Sequence, residues 1–239
     1  TASYATSLSG VTVSLATGTG TGGDAQGDIL SGIENLSGSS DADTLTGDSA
    51  VNTLTGGSGD DRLAGLGGSD ALAGGDGSDT ADYSASGSAV TVNLLTGVAT
   101  GGDAEGDTFS SIESIHGSIL ADTLTGDTNA NTLDGGSGDD RLVGGAGADI
   151  LIGGTGTDTA DYSGSAGAVT VSLATTSGSG GDAQGDTLTG IENLVGSLGN
   201  DSLSGDSLDN QLDGNDGDDD LMGLAGSDTL LGGIGNDVL

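Results

Sequence analysis

The sequence predicts an all-β fold in which very short strands stack along an elongated solenoid. Three observations predict it. Three segments follow one another at a spacing of 79 residues, a period of nine residues runs inside each segment, and each nine-residue motif places glycine before a single apolar residue. An ungapped repeat of this kind is typical of coils that must stay in register with their neighbours.

The long period is visible in four motifs. "TADYS" begins at Thr80 and again at Thr159, and "TASYA" occupies the same place at Thr1. "VTVSL", "GGDAQGD" and "GIENL", or close variants, recur in all three segments. The sequence therefore predicts three repeats, 1–79, 80–158 and 159–239, in one continuous solenoid. Neither end carries a recognisable cap, so we expect this chain to be a fragment of a larger protein.

The short period defines the coil. Each repeat contains five nonapeptides with Gly at position 1, Asp or Asn at position 6 and an apolar residue, usually Leu, at position 8. Glycine permits a tight turn, and the residues around the Leu form a strand with one side chain facing inward. Two nonapeptides make a coil of eighteen residues, so the Leu rows of its two sides meet in a thin core.

The composition sets this chain apart from ordinary globular proteins. It has 51 Gly, no Pro and no Cys, and its 2 basic residues against 37 acidic ones give a net charge of −35. Composition alone would indicate disorder, but disordered chains rarely keep strict periods. The charge excludes electrostatic binding to nucleic acids or anionic membranes. The sequence does not open with the basic and apolar pattern of a signal peptide, it has no apolar run long enough to insert into a membrane, and it has no thiolate for a disulfide or a metal.

The spacing of the acidic residues indicates a cation. Position-6 residues eighteen apart, such as Asp43, Asp61 and Asp79, fall on the same edge of successive coils. Carboxylates stacked at the ~4.8 Å strand spacing repel one another strongly. A cation between each pair would remove this repulsion, and the hard oxygen ligands of carboxylates and turn carbonyls suit Ca²⁺.

The motifs "GGSGDDRLA", "GGAGADILI", "GGTGTDTAD" and "GGIGNDVL" resemble the glycine-rich nonapeptide of the RTX (repeats-in-toxin, haemolysin-type) calcium-binding family. The resemblance implies a right-handed parallel β-roll, folding that depends on Ca²⁺, and export by type I secretion. The segments between the nonapeptide blocks, such as residues 82–115, look like spacers of large secreted bacterial RTX proteins. We expect roughly three to four Ca²⁺ ions per repeat.

The resemblance implies the following ligands. The position-6 residues are Asp43, Asn52, Asp61, Asp70, Asp79, Asp122, Asn131, Asp140, Asp149, Asp158, Asp201, Asn210, Asp219, Asp228 and Asp237. Backbone carbonyls would come from Gly57, Gly59, Gly136, Gly138, Gly145 and Gly147. The nonapeptides that carry Asn have lost glycines, as in "GDTNANTLD", so we expect weaker or missing metal there.

The spacers leave several alternatives open. Glu34, Glu113 and Glu192 fall in the nine-residue frame, each eighteen residues before an Asn, and would either share Ca²⁺ with it or lie in solvent. "GGDAEGD" is either a calcium loop through Asp103 and Asp107 or a surface loop.

The histidine, the arginines and the tyrosines are each expected to have a structural role. His116, the only histidine, is expected in a surface turn, and Arg62 and Arg141 are expected to be exposed. The tyrosines Tyr4, Tyr83 and Tyr162 are expected to pack at the junction of roll and spacer.

These observations predict a structural, calcium-binding extension region of a secreted or surface-attached bacterial protein, of adhesin or surface-layer type, rather than an enzyme. Its partners would be Ca²⁺ and neighbouring repeats, with a cell-surface or carbohydrate partner unidentified. The alternative is the secretion-and-folding module of an RTX protease, lipase or epimerase. A third reading, ice binding, is weaker because Thr does not keep one fixed nonapeptide position.

Overall fold

The computed structural model describes residues 1–239, which form short β-strands and three 3₁₀ turns at Gly23–Ala25, Gly102–Ala104 and Gly181–Ala183. The prediction of an all-β fold is confirmed. The chain divides into two compact units, Thr1–Ile119 and Leu120–Leu239, and the division falls inside the second sequence repeat. The three repeats of 79 residues remain a prediction about sequence organisation. No helix is long and apolar enough to cross a bilayer.

The strands of the first unit are β1 (Ala2–Ser3), β2 (Thr12–Ser14), β3 (Thr19–Thr21), β4 (Asn35–Ser37), β5 (Thr44–Thr46), β6 (Thr53–Ser58), β7 (Arg62–Ala64), β8 (Ala71–Asp76), β9 (Thr80–Asp82), β10 (Thr91–Asn93), β11 (Val98–Thr100), β12 (Thr108–Ser110) and β13 (Ser114–His116). One sheet has the order β1-β4-β6-β8-β12 and a second the order β3-β2-β5-β7-β9-β13, while β10 and β11 pair antiparallel outside these two sheets. Consecutive nonapeptide strands therefore alternate between two sheets.

The strands of the second unit are β14 (Thr123–Thr125), β15 (Thr132–Ser137), β16 (Arg141–Val143), β17 (Ile150–Thr155), β18 (Thr159–Asp161), β19 (Thr170–Ser172), β20 (Ser177–Ser179), β21 (Thr187–Thr189), β22 (Asn193–Val195), β23 (Ser202–Ser204), β24 (Gln211–Asp213), β25 (Asp220–Met222) and β26 (Thr229–Leu231). Their orders are β14-β16-β18-β22-β24-β26 and β15-β17-β21-β20-β19-β23-β25.

The eighteen-residue register is kept within the nonapeptide blocks. Leu45 pairs with Leu63 and Leu54 with Leu72, in parallel. In the second unit, Leu133 pairs with Leu151 in the same way. These leucines are fully buried, and they form the thin core between the sheets. A parallel β-roll is thus present in each unit.

Each spacer is a coil enlarged by a hairpin. β2 and β3 pair antiparallel, and β2 then joins the roll beside β5, with Val13 opposite Leu45. β19 and β20 form the equivalent hairpin in the second unit, where Val171 lies opposite Leu203. The spacer is therefore part of the roll and not a separate linker.

Equivalent residues of successive repeats lie in opposite sheets. In the first unit, Leu36 of β4 and its equivalent Ile115 of β13 belong to different sheets. In the second unit, Leu124 of β14 and its equivalent Leu203 of β23 are separated in the same way. One repeat thus advances the chain by whole coils plus a half.

Candidate metal centres

Carboxylates at position 6 form hydrogen-bonded ladders along the edges of the roll. The Asp43 N–H donates to Asp61 Oδ1 at 2.8 Å, and the Asp61 N–H donates to Asp79 Oδ1 at 2.8 Å. The same bonds join Asp122 to Asp140 and Asp140 to Asp158. Each N–H holds one carboxylate oxygen in place, so the orientation of the second oxygen is fixed by the fold.

The second oxygen of many of these carboxylates has no partner. The Oδ2 atom is buried and accepts no hydrogen bond in Asp61, Asp70, Asp79, Asp140, Asp149, Asp158 and Asp219. Burying an anionic oxygen without a hydrogen bond or counter-charge is costly. These seven atoms are therefore the strongest structural indication of bound cations.

The turns that contain these oxygens share a backbone conformation. We call a turn open when its position-2 residue has a positive φ. The open turns are 56–61, 65–70, 74–79, 135–140, 144–149, 153–158, 214–219, 223–228 and 232–237. The position-4 residue also has a positive φ in eight of these turns, as Gly59 does (φ 105°). Glycine adopts such values most readily, and it holds all these positions except position 2 of three turns, which is Leu66, Asn215 or Leu224.

Other position-6 side chains are satisfied within their own turn. The Ser39 N–H donates to Asp43 Oδ2 at 2.5 Å, and the Asp48 N–H donates to Asn52 Oδ1 at 2.7 Å. We call such turns closed. They are 38–43, 47–52, 126–131, 196–201 and 205–210. None of them has a positive φ at position 2 or 4.

Glycine at position 1 makes room for the free oxygen. A Cβ placed on Gly56 would collide with Asp61 Oδ2 and with the carbonyl oxygen of Gly74, which belongs to the next turn on the same edge. Gly135 stands in the same relation to Asp140 Oδ2 and the carbonyl oxygen of Gly153. A carboxylate oxygen and a carbonyl oxygen thus approach one another, and both are ligand types that Ca²⁺ accepts.

Burial makes the open-turn carboxylates hard to ionise without a cation. Burial raises the pKa of Asp61 and Asp140 to about 6 and that of Asp70 and Asp149 to about 7, although ladder hydrogen bonds act in the opposite direction. The pKa values of Asp79 and Asp158 are also raised by burial, and the neighbouring Glu113 and Glu192 raise them further. A divalent cation would reverse these shifts by favouring the charged form.

Clusters of three or more His, Cys, Asp or Glu side chains that could hold a metal are absent. The candidate sites are therefore not carboxylate cages. Most ligands would have to be backbone carbonyls, which agrees with the preference of Ca²⁺ for 6–8 oxygens of mixed type.

Comparison with protein-family models identifies the turns. The model of the RTX calcium-binding nonapeptide repeat matches residues 28–63, 46–81, 116–151, 125–160, 181–213 and 204–239, which together cover more than half of the chain. The chain belongs to the RTX calcium-binding repeat family. No curated protein sequence gives a significant match to it. RTX nonapeptide repeats are calcium-binding repeats, so the predicted family and the predicted type of cofactor are confirmed.

The predicted glycine ligands lie in open RTX turns, at positions 2 and 4. Gly57, Gly59, Gly136, Gly138, Gly145 and Gly147 all have positive φ. A Cβ on Gly75 would collide with the Gly57 carbonyl oxygen, and one on Gly77 with that of Gly59. These carbonyls therefore face the next turn of the ladder, and their role as ligands stays a prediction.

The predicted glutamates differ among the three RTX repeats. Glu113 Oε2 accepts the Asp79 N–H at 2.9 Å, and Glu192 Oε2 accepts the Asp158 N–H at 2.8 Å, so both continue a ladder. Glu34 is exposed, and its backbone carbonyl accepts a bond from Asn52 Nδ2 at 2.9 Å. The amide of Asn210 donates to the Glu192 carbonyl in the same way. The side-chain N–H of each Asn thus lies between the Asn and the Glu, where a Ca²⁺ ion shared by the two residues was one of the expectations.

The sequence predicts a calcium loop or a surface loop at Asp107, but not the ladder role that Asp107 shares with Asp186. Asp107 Oδ1 accepts the Asp70 N–H at 2.8 Å, and its Oδ2 accepts the Tyr83 hydroxyl at 2.9 Å. Asp186 is held in the same way by Asp149 and Tyr162. These aspartates take a ladder position although they lie outside the nine-residue frame. The available signal was the constant spacing of 24 residues between each Tyr and Asp.

The side chains of the two arginines are 43% and 46% exposed, as expected, and each forms an ion pair. Arg62 Nε lies 2.5 Å from Asp82 Oδ2, and Arg141 NH2 lies 2.6 Å from Asp161 Oδ2. The pKa of Asp82 is lowered, because hydrogen bonds from Ser84 and Arg62 outweigh its burial. His116 lies beside this pair, with Nδ1 3.4 Å from Arg62 NH2.

Proposed function

We propose that this chain is a calcium-triggered structural region of a secreted or cell-surface bacterial protein, of adhesin or surface-layer type. Calcium would occupy the nine open turns, three in each repeat, and the closed turns would fold without it. The observation that carries the proposal is the set of seven buried, unpartnered Oδ2 atoms, all of which lie in open turns.

The residues of an open turn have different roles in the proposed site. The position-6 carboxylate supplies charge, and the ladder N–H fixes its Oδ1 so that Oδ2 faces the stacked carbonyl. A residue with positive φ at position 2 and glycine at position 4 give the backbone the curvature that brings carbonyls to the same edge. Bound calcium supplies the positive charge that offsets this arrangement.

Charge explains why folding would wait for calcium. Two carboxylates one strand apart repel by roughly 3 kcal/mol at an effective dielectric constant of 20. Several such pairs exceed the roughly 5–15 kcal/mol by which domains are usually stable. Without metal, we expect the chain, with its net charge of −35, to stay open.

Circular dichroism tests the folding step. In EDTA the spectrum should be that of a disordered chain, and Ca²⁺ near the ~10⁻⁴–10⁻³ M dissociation constants of extracellular calcium modules should convert it to β. Mg²⁺ at the same concentration should fail, because it demands a small octahedral site and gives up water reluctantly. A β spectrum that EDTA leaves unchanged would refute the proposal.

Secretion tests the proposed location. An unfolded chain passes through a narrow channel more easily than a folded one, and folding outside would prevent back-sliding. We expect the chain, fused to a type I secretion signal, to be exported less well when substitutions allow it to fold without calcium. Full export of a variant shown to be folded in EDTA would contradict this coupling while leaving calcium-triggered folding intact.

A further inference from the structure

The last open turn of a nonapeptide block stacks against the following spacer and not against another nonapeptide. In the first unit, turn 74–79 meets residues 111–113, and in the second unit turn 153–158 meets residues 190–192. The spacer residue two before the glutamate keeps a positive φ, 50° at Ser111 and 62° at Gly190. The spacer thus reproduces part of an open turn without its paired glycines.

We propose that at each of these junctions the spacer completes the calcium site of the last open turn, to which it supplies the Glu carboxylate and one backbone carbonyl. Its ligands would be Asp79 with Glu113 and the Ser111 carbonyl, and, in the second unit, Asp158 with Glu192 and the Gly190 carbonyl. This inference rests on the proposed function, because it assigns a specific composition to the last open turn of each block.

Two unpartnered oxygens carry the inference. Asp79 and Asp158 are fully buried, and Oδ2 of each accepts no hydrogen bond. A Cβ on Gly74 would collide with both Asp79 Oδ2 and the Ser111 carbonyl oxygen. One on Gly153 would collide with the Gly190 carbonyl oxygen and with Asp158 Oδ2. The spacer carbonyl therefore takes the place that Gly74 O takes beside Asp61.

Hydrogen bonds fix the glutamate at the same point. The Glu113 and Ser114 N–H groups donate to the Asp79 carbonyl at 3.1 and 2.9 Å, while Glu113 Oε2 accepts the Asp79 N–H. Glu192 and Asn193 bracket Asp158 with the same three bonds. The arrangement brings a second negative side chain to a buried carboxylate, which is unfavourable unless a cation lies between them.

The consequence concerns the order of folding. Asp79 belongs to the first sequence repeat and Glu113 to the second, while Asp158 and Glu192 join the second repeat to the third. Calcium at these junctions would tie each nonapeptide block to the next spacer. A block would then complete its last site only after the following spacer has docked.

Calcium stoichiometry of the full chain, measured by equilibrium dialysis, tests this inference. Glu113→Gln and Glu192→Gln each remove the charge but keep an oxygen for the ladder N–H. Each should lose one ion or bind it at least roughly tenfold more weakly, since affinity follows ligand charge. Glu34→Gln is the matched control, because Glu34 has the same place in the frame but an exposed side chain, and it should bind as the wild type does.

The outcomes separate the two proposals. If the wild type binds no calcium, the proposed function fails. If it binds calcium and both glutamate variants match it in ion number and affinity, only the spacer site fails. Should a variant not fold, hydrogen exchange of the wild type still decides. The Glu113 and Ser114 amides should become protected at the same calcium concentration as turn 74–79, and protection before calcium is added would overturn the inference.

Discussion

Turns 47–52 and 56–61 belong to consecutive nonapeptides with the same frame, but they differ in whether the position-6 side chain is fully hydrogen-bonded. In turn 47–52 the Asn52 amide oxygen accepts the Asp48 N–H and the amide nitrogen donates to the Glu34 carbonyl. Both polar atoms of the Asn52 side chain are therefore hydrogen-bonded. In turn 56–61 one carboxylate oxygen of Asp61 is buried without a partner. The fold thus provides two solutions for the same position of the nonapeptide, and only the second calls for a cation.

The difference between them comes from positions 2 and 4. Turn 56–61 has Gly57 and Gly59 there, both with positive φ, whereas turn 47–52 has Asp48 and Ala50. Without the left-handed residues, the position-2 N–H points at the position-6 side chain and satisfies it. Metal binding is therefore a property of the whole turn and not of the position-6 residue alone.

The largest expected effect comes from removing the central open-turn carboxylates. Asp61→Asn, Asp140→Asn and Asp219→Asn together should lower the number of bound ions and raise the calcium midpoint of folding by roughly tenfold or more. The physical reason is the loss of charge facing the stacked carbonyls. A calcium titration followed by circular dichroism measures the midpoint, and equilibrium dialysis counts the ions.

The matched control changes the closed turns. Asn52→Ala, Asn131→Ala and Asn210→Ala together should keep the ion number. They should lower the melting temperature in saturating calcium, at a cost of about 1 kcal/mol per lost hydrogen bond. If this variant loses as many ions as the aspartate variant, the distinction between open and closed turns is wrong.

A single substitution sharpens the comparison. Asn52→Asp gives a closed turn the consensus carboxylate but not the glycines. We expect no additional ion, and we expect a loss of about 1–3 kcal/mol, because an anionic oxygen would replace the donor that faces the Glu34 carbonyl. Urea unfolding in calcium measures the loss. An extra bound ion would show that position 6 alone decides.

Acid should partly replace calcium. The pKa values of Asp61 (about 6) and Asp70 (about 7) lie above their ordinary value of 3.8. These side chains bind protons more tightly in the folded chain than in the unfolded one, so protonation stabilises the fold. This stabilisation is complete below about pH 4 and is lost as the pH rises through 6 to 7. In EDTA, β structure should therefore increase from pH 7.5 to pH 4.5.

With calcium present, the sign of the pH effect should reverse. Protons compete with calcium for the same carboxylates, so the calcium midpoint should rise as the pH falls. The closed-turn amides do not titrate and should contribute nothing to either trend. A metal-free spectrum that does not change over this pH range would contradict the burial of the open-turn carboxylates.

The last comparison concerns the spacer tyrosines. Tyr83→Phe leaves Asp107 Oδ2 buried without the Tyr hydroxyl and should cost about 1–3 kcal/mol in calcium. Tyr4→Phe should cost less, since its partner Asp28 is exposed and water can replace the hydroxyl. Thermal unfolding of the two variants measures the difference. Equal losses would show that the hydroxyl of Tyr83 serves packing only.

The sequence was sufficient for the coil, its register and the inward Leu rows, because each of these follows from strict periods. It also indicated that the Asn nonapeptides would differ, because they lack glycines. The sequence did not predict that turn 38–43 is closed. Its position-6 residue is an Asp, and only the backbone conformation shows that the Ser39 N–H satisfies it.

The spacers limited prediction most. Their strands pair at separations of 32, 34 and 37 residues, as Val13 with Leu45, Ala2 with Leu36 and Leu72 with Phe109. No single period describes these offsets, since a hairpin is inserted into the coil. The ladder role of Asp107 depends on this insertion, and the nine-residue frame does not reveal it.

The half-coil offset between repeats has a consequence for recognition. Because Leu124 and Leu203 lie in opposite sheets, the outward residues beside them, Thr123 and Ser202, face opposite broad sides of the second unit. A receptor that reads one repeat would find its next copy on the reverse side. Successive copies of one surface therefore lie on opposite sides, and a single partner surface cannot engage two neighbouring copies at once.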